Sequence, residues 1–178
     1  NGKQARIEDR PPLIYHFAKK ADAKHRVDAE RVFGLYQHRL PPERLCLFER
    51  YHLQDIAFKV VGVGSVGTFC AIGLFMSGDG APLFLQIKEA RKSVLECLGP
   101  QYKGHSGRRV VEGQRTMQAA SDVFLGWTED DASARHFYVR QLKNRRLGSI
   151  GELVEERALA NYARLCGRTL ARAHARST

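Results

Sequence analysis

Residues Asp55 to Ala90 read DIAFKVVGVGSVGTFCAIGLFMSGDGAPLFLQIKEA, and the fold turns on how this stretch is read. It contains a G-x-G-x-x-G loop, Gly62-Val63-Gly64-Ser65-Val66-Gly67, and, 21 positions after Gly67, a lysine, Lys88, within an apolar run. Two architectures share such a loop. In a dinucleotide-binding fold the third glycine opens a helix whose N-terminus receives a pyrophosphate. Here Gly67 is followed by Thr68-Phe69-Cys70-Ala71-Ile72-Gly73-Leu74-Phe75-Met76, which is rich in strand-forming residues and lacks an N-cap followed by a helical period. Ser77-Gly78-Asp79-Gly80 is a turn signal. Pro82 to Ala90 is a second strand-like run. The order is strand, glycine loop, strand, turn, then a strand ending in Lys88. Such an order suits a flap over nucleotide phosphates. Glycines let backbone N–H groups approach the phosphate oxygens, and the third-strand lysine supplies a compact cation. The competing reading is a hairpin that merely turns a sheet, with Lys88 extended to solvent.

On the N-terminal side, Pro11-Pro12 starts an extended segment, Leu13-Ile14-Tyr15. From about Ala21 to Leu40 the pattern is helical, with Ala29, Val32, Phe33, Tyr36 and Leu40 on one face. Pro41-Pro42 ends that helix and opens a short second one, with Leu45, Phe48 and Tyr51 facing inward. On the C-terminal side, Arg91 to Leu98 reads as a helical turn or loop, and Arg108 to Ala120 as a helix with a stripe of Val110, Gly113, Met117 and Ala120. Val123–Trp127 and His136–Leu142 read as strands around a polar loop. Lys143 to Gly151 is a basic connector, and Glu152 to about Arg176 is a helix whose apolar face is Leu159, Tyr162, Ala163, Cys166 and Leu170. The expected fold is α+β: a five-stranded antiparallel sheet with a helix inserted after the third strand, flanked by helices at both ends. The expected organisation is an N-terminal region, 1–54, a glycine-loop sheet domain, 55–151, and a C-terminal helix, 152–178.

The chain has 178 residues, and its 43% hydrophobic content argues against disorder throughout. A net charge of +10 favours an acidic partner, whether nucleotide, nucleic acid, anionic lipid or an acidic neighbouring domain, without choosing among them. Cys46, Cys70, Cys97 and Cys166 show no zinc spacing and no small disulfide framework, which fits reduced thiols in a cytoplasm. No apolar run is long enough to span a membrane. Arg164, Arg168, Arg172 and Arg176 form a basic stripe, read first as a solvated face and second as a docking face for a polyanion. Arg135, His136, Arg140, Lys143, Arg145 and Arg146 interleave with Phe137 and Tyr138. That pattern suits nucleic acid, but an amphipathic edge strand explains it more cheaply. Trp127 is read as core, and His174 as a packing histidine.

Together VVGVGSVGT, LFLQIKEA, VVEGQRTMQAASDVFLGW, FYVRQL and YARLCGRTLARAHARS resemble an uncharacterised bacterial domain-of-unknown-function family, from about Arg10 to the C-terminus. That family implies no activity. More remotely, the order of elements resembles the small lobe of protein kinases and aminoglycoside phosphotransferases. This second resemblance implies that Gly62, Gly64, Ser65 and Gly67 cradle phosphates and that Lys88 pairs them. It implies that Glu112 orients Lys88, with Glu89 and Glu96 as nearby alternatives. It further implies that Leu142, Lys143 and Asn144 offer backbone groups to a base, and that the cofactor is ATP with Mg. A phosphotransferase of this kind also needs a catalytic Asp and metal-binding residues. No H-x-D-x-x-x-x-N or G-D-x-H-x-x-N string occurs, and no metal ligand is assigned. The expectation is thus the nucleotide-binding lobe of a phosphotransferase that is inactive without its catalytic half. The alternative is a non-catalytic binding module whose basic surface takes an acidic protein or nucleic acid.

Overall fold

The computed structural model describes residues 5–16, 27–60, 62, 67–142 and 156–177. In chain order the elements are β1 (Ile14–Tyr15), α1 (Ala29–Gln37), α2 (Pro42–Phe48), β2 (Tyr51–Lys59), β3 (Cys70–Ser77) and β4 (Pro82–Ala90). A 3-10 turn (Val94–Cys97), α3 (Ser106–Met117), β5 (Gly126–Asp130), β6 (Arg135–Gln141) and α4 (Glu156–Ser177) follow. The chain divides into two compact units: Asn1–Val111 with Asp122–Leu142, and Glu112–Ser121 with Lys143–Thr178. The sheet, α1 and α2 belong to the first unit, and α4 belongs to the second.

The sheet is antiparallel, in the order β1-β2-β3-β4-β6-β5. Strand alternation gives it two faces of different chemistry. Ala71, Phe75, Leu83, Leu85, Ile87, Phe137 and Val139 join Val32, Phe33 and Tyr36 of α1 and Phe48 of α2 in one core. Aromatic edges lock this layer: Phe33 meets Phe75 at 5.1 Å, and Phe48 meets Phe75 at 5.1 Å and Phe124 at 5.9 Å between ring centroids. Inside the layer the Tyr36 hydroxyl donates to the Phe124 carbonyl at 2.6 Å. α1 starts where the Asp28 side chain accepts the Glu30 and Arg31 N–H groups. The opposite face carries Cys70, Gln86, Lys88, Tyr138 and Arg140, with Lys88 opposite both Cys70 and Tyr138, and Gln86 opposite Arg140.

Among the described residues six strands form, not five. Ile14 and Tyr15 pair with Lys59 and Phe58, so the expected extended segment takes up the ladder groups that β2 leaves open at the sheet edge. β5 starts at Gly126 rather than Val123 and runs through Glu129 and Asp130. Asp122 holds residues 122–125 as a turn by accepting the Phe124 N–H on its side chain and the Leu125 N–H on its carbonyl. Asp130 is fully buried, bound to Arg31 and to the Ser133 hydroxyl, so two acidic residues expected in a loop lie in a strand. α3 begins two residues earlier than expected and turns Gly107 and Val111 inward, not Val110, Gly113 and Met117. α1 begins at Ala29, and the stretch 17–26 lies outside the described residues. Leu159, Tyr162, Cys166 and Leu170, on the apolar face of α4, are exposed. Trp127 is half-buried rather than core. Among the described residues, no helix is long and apolar enough to cross a membrane.

Candidate functional site

Gly62 and Gly67 lie in the connection between β2 and β3. They have φ of +64° and +77°, the left-handed region that glycine adopts without strain. A Cβ at either position would meet nothing within 4 Å, so conformation rather than space demands glycine there. Gly64 and Ser65 lie outside the described residues. After the loop comes a strand, Cys70–Ser77, and no helix opens at Gly67. The dinucleotide-binding alternative is thereby excluded, because it needs a helix N-terminus at that point.

Lys88 stands near the end of β4, half-buried, with its Nζ 5.9 Å from the centre of the Tyr138 ring. Beneath it lies a buried polar row. The Gln86 amide donates to Cys70 Sγ at 3.3 Å, and Gln86 Oε1 accepts from Arg140 Nε and Nη2 at 3.3 Å each. Burial raises the Cys70 thiol above its ordinary pKa, while the charges of Lys88, Lys59 and Arg140 and the Gln86 hydrogen bond pull it down. Three cations therefore act on one spot of this face. The carboxylates that alternation places on the same face are engaged elsewhere. Asp55 accepts the Ile7 N–H at 2.7 Å and lies 3.1 Å from His16 Nε2, and Glu129 pairs with Arg39. Among the described residues, no carboxylate forms an ion pair with Lys88. Such a face suits an anion.

Glu89 and Glu96, both considered for Lys88, are bound to other groups. Glu89 follows Lys88 in the strand and so points to the other face. There it is bound by Arg91, Arg135 and the Phe69 N–H. Glu96 accepts the Ser93 N–H at 2.9 Å in a capping box of the Val94–Cys97 turn. Glu112, on α3, belongs to the second unit and has an exposed side chain. The Leu142 N–H donates to the Phe84 carbonyl at 2.9 Å, so that donor is already taken up by the sheet. Lys143 and Asn144 lie outside the described residues.

The family model described as "Uncharacterized protein conserved in bacteria (DUF2252)" matches residues 1–178. The chain belongs to this family. No curated protein and no solved structure matches it.

One further cluster in this DUF2252 chain escaped the sequence reading. His105, Glu129 and His136 bring candidate ligand atoms within 4.8 Å of one another. The two rings stack at 3.8 Å between centroids, 22° from parallel. His105 Nδ1 accepts the Arg108 N–H and His136 Nδ1 accepts the Ser106 N–H. In the neutral rings both Nε2 atoms therefore carry hydrogen, and both Nδ1 lone pairs are in use. Stacked rings also point their in-plane nitrogens alongside each other instead of at a common centre. The cluster is thus a helix cap backed by a second imidazole, not a metal centre. The only advance signal was Gly104-His105 just before a helical run, where a polar N-cap is due. Arg164, Arg168, Arg172 and Arg176 of α4 are all exposed, as a solvated face requires. Arg145 and Arg146 lie outside the described residues.

Proposed function

We propose that this chain is the nucleotide-binding, kinase-small-lobe-like part of a phosphotransferase and holds the phosphates of Mg-ATP between its glycine loop and Lys88. The observation that carries the reading is the setting of Lys88. It is a half-buried cation with no carboxylate ion pair among the described residues, beside Lys59 and Arg140, on the strand following the glycine hairpin. A partly desolvated cation gains from a bound anion, and a polyphosphate answers three cations at once. The connectivity gives further support. Two hairpins, an inserted helix and a last strand pair follow one another, with the lysine on the third strand from the loop's entry.

In this reading Gly62, Gly64, Ser65 and Gly67 present backbone N–H groups to phosphate oxygens, and Lys88, with Arg140 and Lys59, neutralises them. The base lies against the backbone at Leu142. Magnesium would arrive with the nucleotide on phosphate oxygens, since the Lys88 face commits its own carboxylates to His16 and Arg39. The metal-binding Asn and Asp and the acceptor-orienting Asp of such enzymes are matched by no string in this chain, so the proposal covers binding and not turnover.

The test is calorimetric titration of MgATP into the chain and into Lys88→Ala. A weak Kd of about 1 mM, on the order of −4 kcal/mol, is expected for the chain, with binding lost in the variant. Binding of equal strength in both proteins would refute the assignment of Lys88.

A further inference from the structure

The exit of the glycine loop is held by contacts that the nucleotide reading does not use. Glu89 accepts the Phe69 N–H on Oε2 at 2.9 Å, and its own N–H donates to the Phe69 carbonyl at 2.9 Å. Arg91 Nη2 donates to the Gly67 carbonyl at 2.8 Å, and Arg91 Nε donates to Glu89 Oε1 at 2.7 Å. Arg135 adds a second cation 3.7 Å from Glu89, and Arg109 of α3 donates to the Arg91 carbonyl at 2.9 Å. The Glu89 side chain is only 7% exposed. Burial alone would raise its carboxyl pKa, but Arg91, the Phe69 N–H and Arg135 outweigh that and hold it below the ordinary value. The Phe69 ring is fixed as well, edge-on to Phe58 at 5.3 Å and to Phe137 at 5.7 Å. One carboxylate and one guanidinium thus grip the backbone on both sides of Thr68, where Gly67 adopts a positive φ.

We propose that Glu89 and Arg91 are positioning residues of the phosphate site: they fix the peptide planes from Gly67 to Phe69 and so set the direction in which the glycine loop leaves the sheet. This inference rests on the nucleotide reading. Neither residue touches phosphate. Their effect is to remove conformations of the loop exit in which its N–H groups face away from the ligand. A bidentate, charge-assisted pair is suited to this, since both partners are planar and the fork admits few geometries. Arg91→Lys keeps a cation able to reach one acceptor but loses the fork. Glu89→Gln keeps the shape and one acceptor but loses the charge that holds Arg91.

The experiment uses the full chain and its Arg91→Ala, Arg91→Lys and Glu89→Gln variants, with MgATP, MgADP and adenosine as probes. Hydrogen exchange is followed in peptides covering residues 67–70 and, as an internal control, β4. For Arg91→Ala the expected results are a Kd for MgATP and MgADP weakened about tenfold, unchanged adenosine binding, and exchange near Phe69 about tenfold faster with β4 unaltered. Arg91→Lys should recover part of both effects. A merely structural role would weaken adenosine as much as ATP and would speed exchange in β4 too, and that result overturns the inference. So does Arg91→Ala binding MgATP within twofold of a wild type that binds it. A wild type that binds none of the probes refutes the nucleotide reading and the phosphate role together. In that case the exchange data separate the two failures: faster exchange confined to 67–70 keeps the clasp as a loop-ordering device, and unchanged exchange removes it as well.

Discussion

Lowering the pH should loosen the start of α3 through His105, and a non-titrating variant isolates the effect. Burial of the ring, then the stacked His136, pushes the His105 pKa down from 6.5 to about 4, with Glu129 opposing and Arg39 adding to the push. The local structure gives two further reasons. His105 Nδ1 caps α3 by accepting the Arg108 N–H, and a protonated ring has no lone pair to offer. A cation at a helix N-terminus also opposes the helix dipole. The sign follows from linkage. The folded pKa lies below the unfolded one, so between pH 6.5 and 4 the unfolded chain binds more protons. The contribution is fully present above pH 6.5, falls as pH drops from 6.5 to about 4, and is constant below. A displacement from 6.5 to about 4 amounts to about 3 kcal/mol at full effect. The side chain is 12% exposed, and Glu129 lies 3.7 Å away to share the charge, so the working figure is about 2 kcal/mol. The assay is urea denaturation of wild type and His105→Asn at half-unit steps from pH 8 to pH 4. Asparagine keeps a capping oxygen and cannot titrate. Carboxylates such as Glu89 lose stability on acidification in both proteins and cancel in the difference. Stability curves that stay parallel from pH 7 to pH 4 would refute the reasoning.

Two other substitutions test the packing. Tyr36→Phe leaves the buried Phe124 carbonyl without its 2.6 Å donor and should cost about 1–2 kcal/mol by guanidinium denaturation. Gly107→Ala would drive a Cβ into the Phe137 backbone carbonyl and should cost about 2–3 kcal/mol; a loss below about 0.5 kcal/mol would show that α3 can shift freely on β6.

The parts of the fold legible in the sequence are those with a local cause. The Ala29, Val32, Phe33, Tyr36 and Leu40 stripe follows from helical period, and all five residues are buried. Ser77-Gly78-Asp79-Gly80 joins β3 to β4, and alternation in β6 puts Phe137 and Val139 in the core, with Tyr138 and Arg140 on the other face. What escaped has a distant cause. β1 holds two residues and exists because β2 offers it an edge. Asp130 reads as a loop residue until Arg31, 99 positions away, neutralises it in the interior. Glu89 looked like a partner for its neighbour Lys88, and only the Phe69 N–H, 20 positions earlier, and Arg91 reveal its real service. Local propensity carries no information about partners that sequence separation hides.

The division of labour within Ile87-Lys88-Glu89 follows from strand geometry alone. Successive side chains point to opposite faces. Ile87 fills the core, Lys88 faces the cation cluster around Cys70, and Glu89 returns to the side where it grips Phe69. A register slip of one residue would turn Lys88 into the core beside Phe69 and Phe137, expel Leu85 and Ile87 from it, and turn Glu89 toward Arg140. Burying that charge without a partner costs several kcal/mol, far more than any single hydrogen bond in the ladder is worth. The alternation of charge along these residues therefore fixes the register of β4. In the correct register the cation lies on one side of the sheet and the loop's anchor on the other. Lys88 and Arg140 then share one face, while Glu89 holds the Phe69 backbone from the core face.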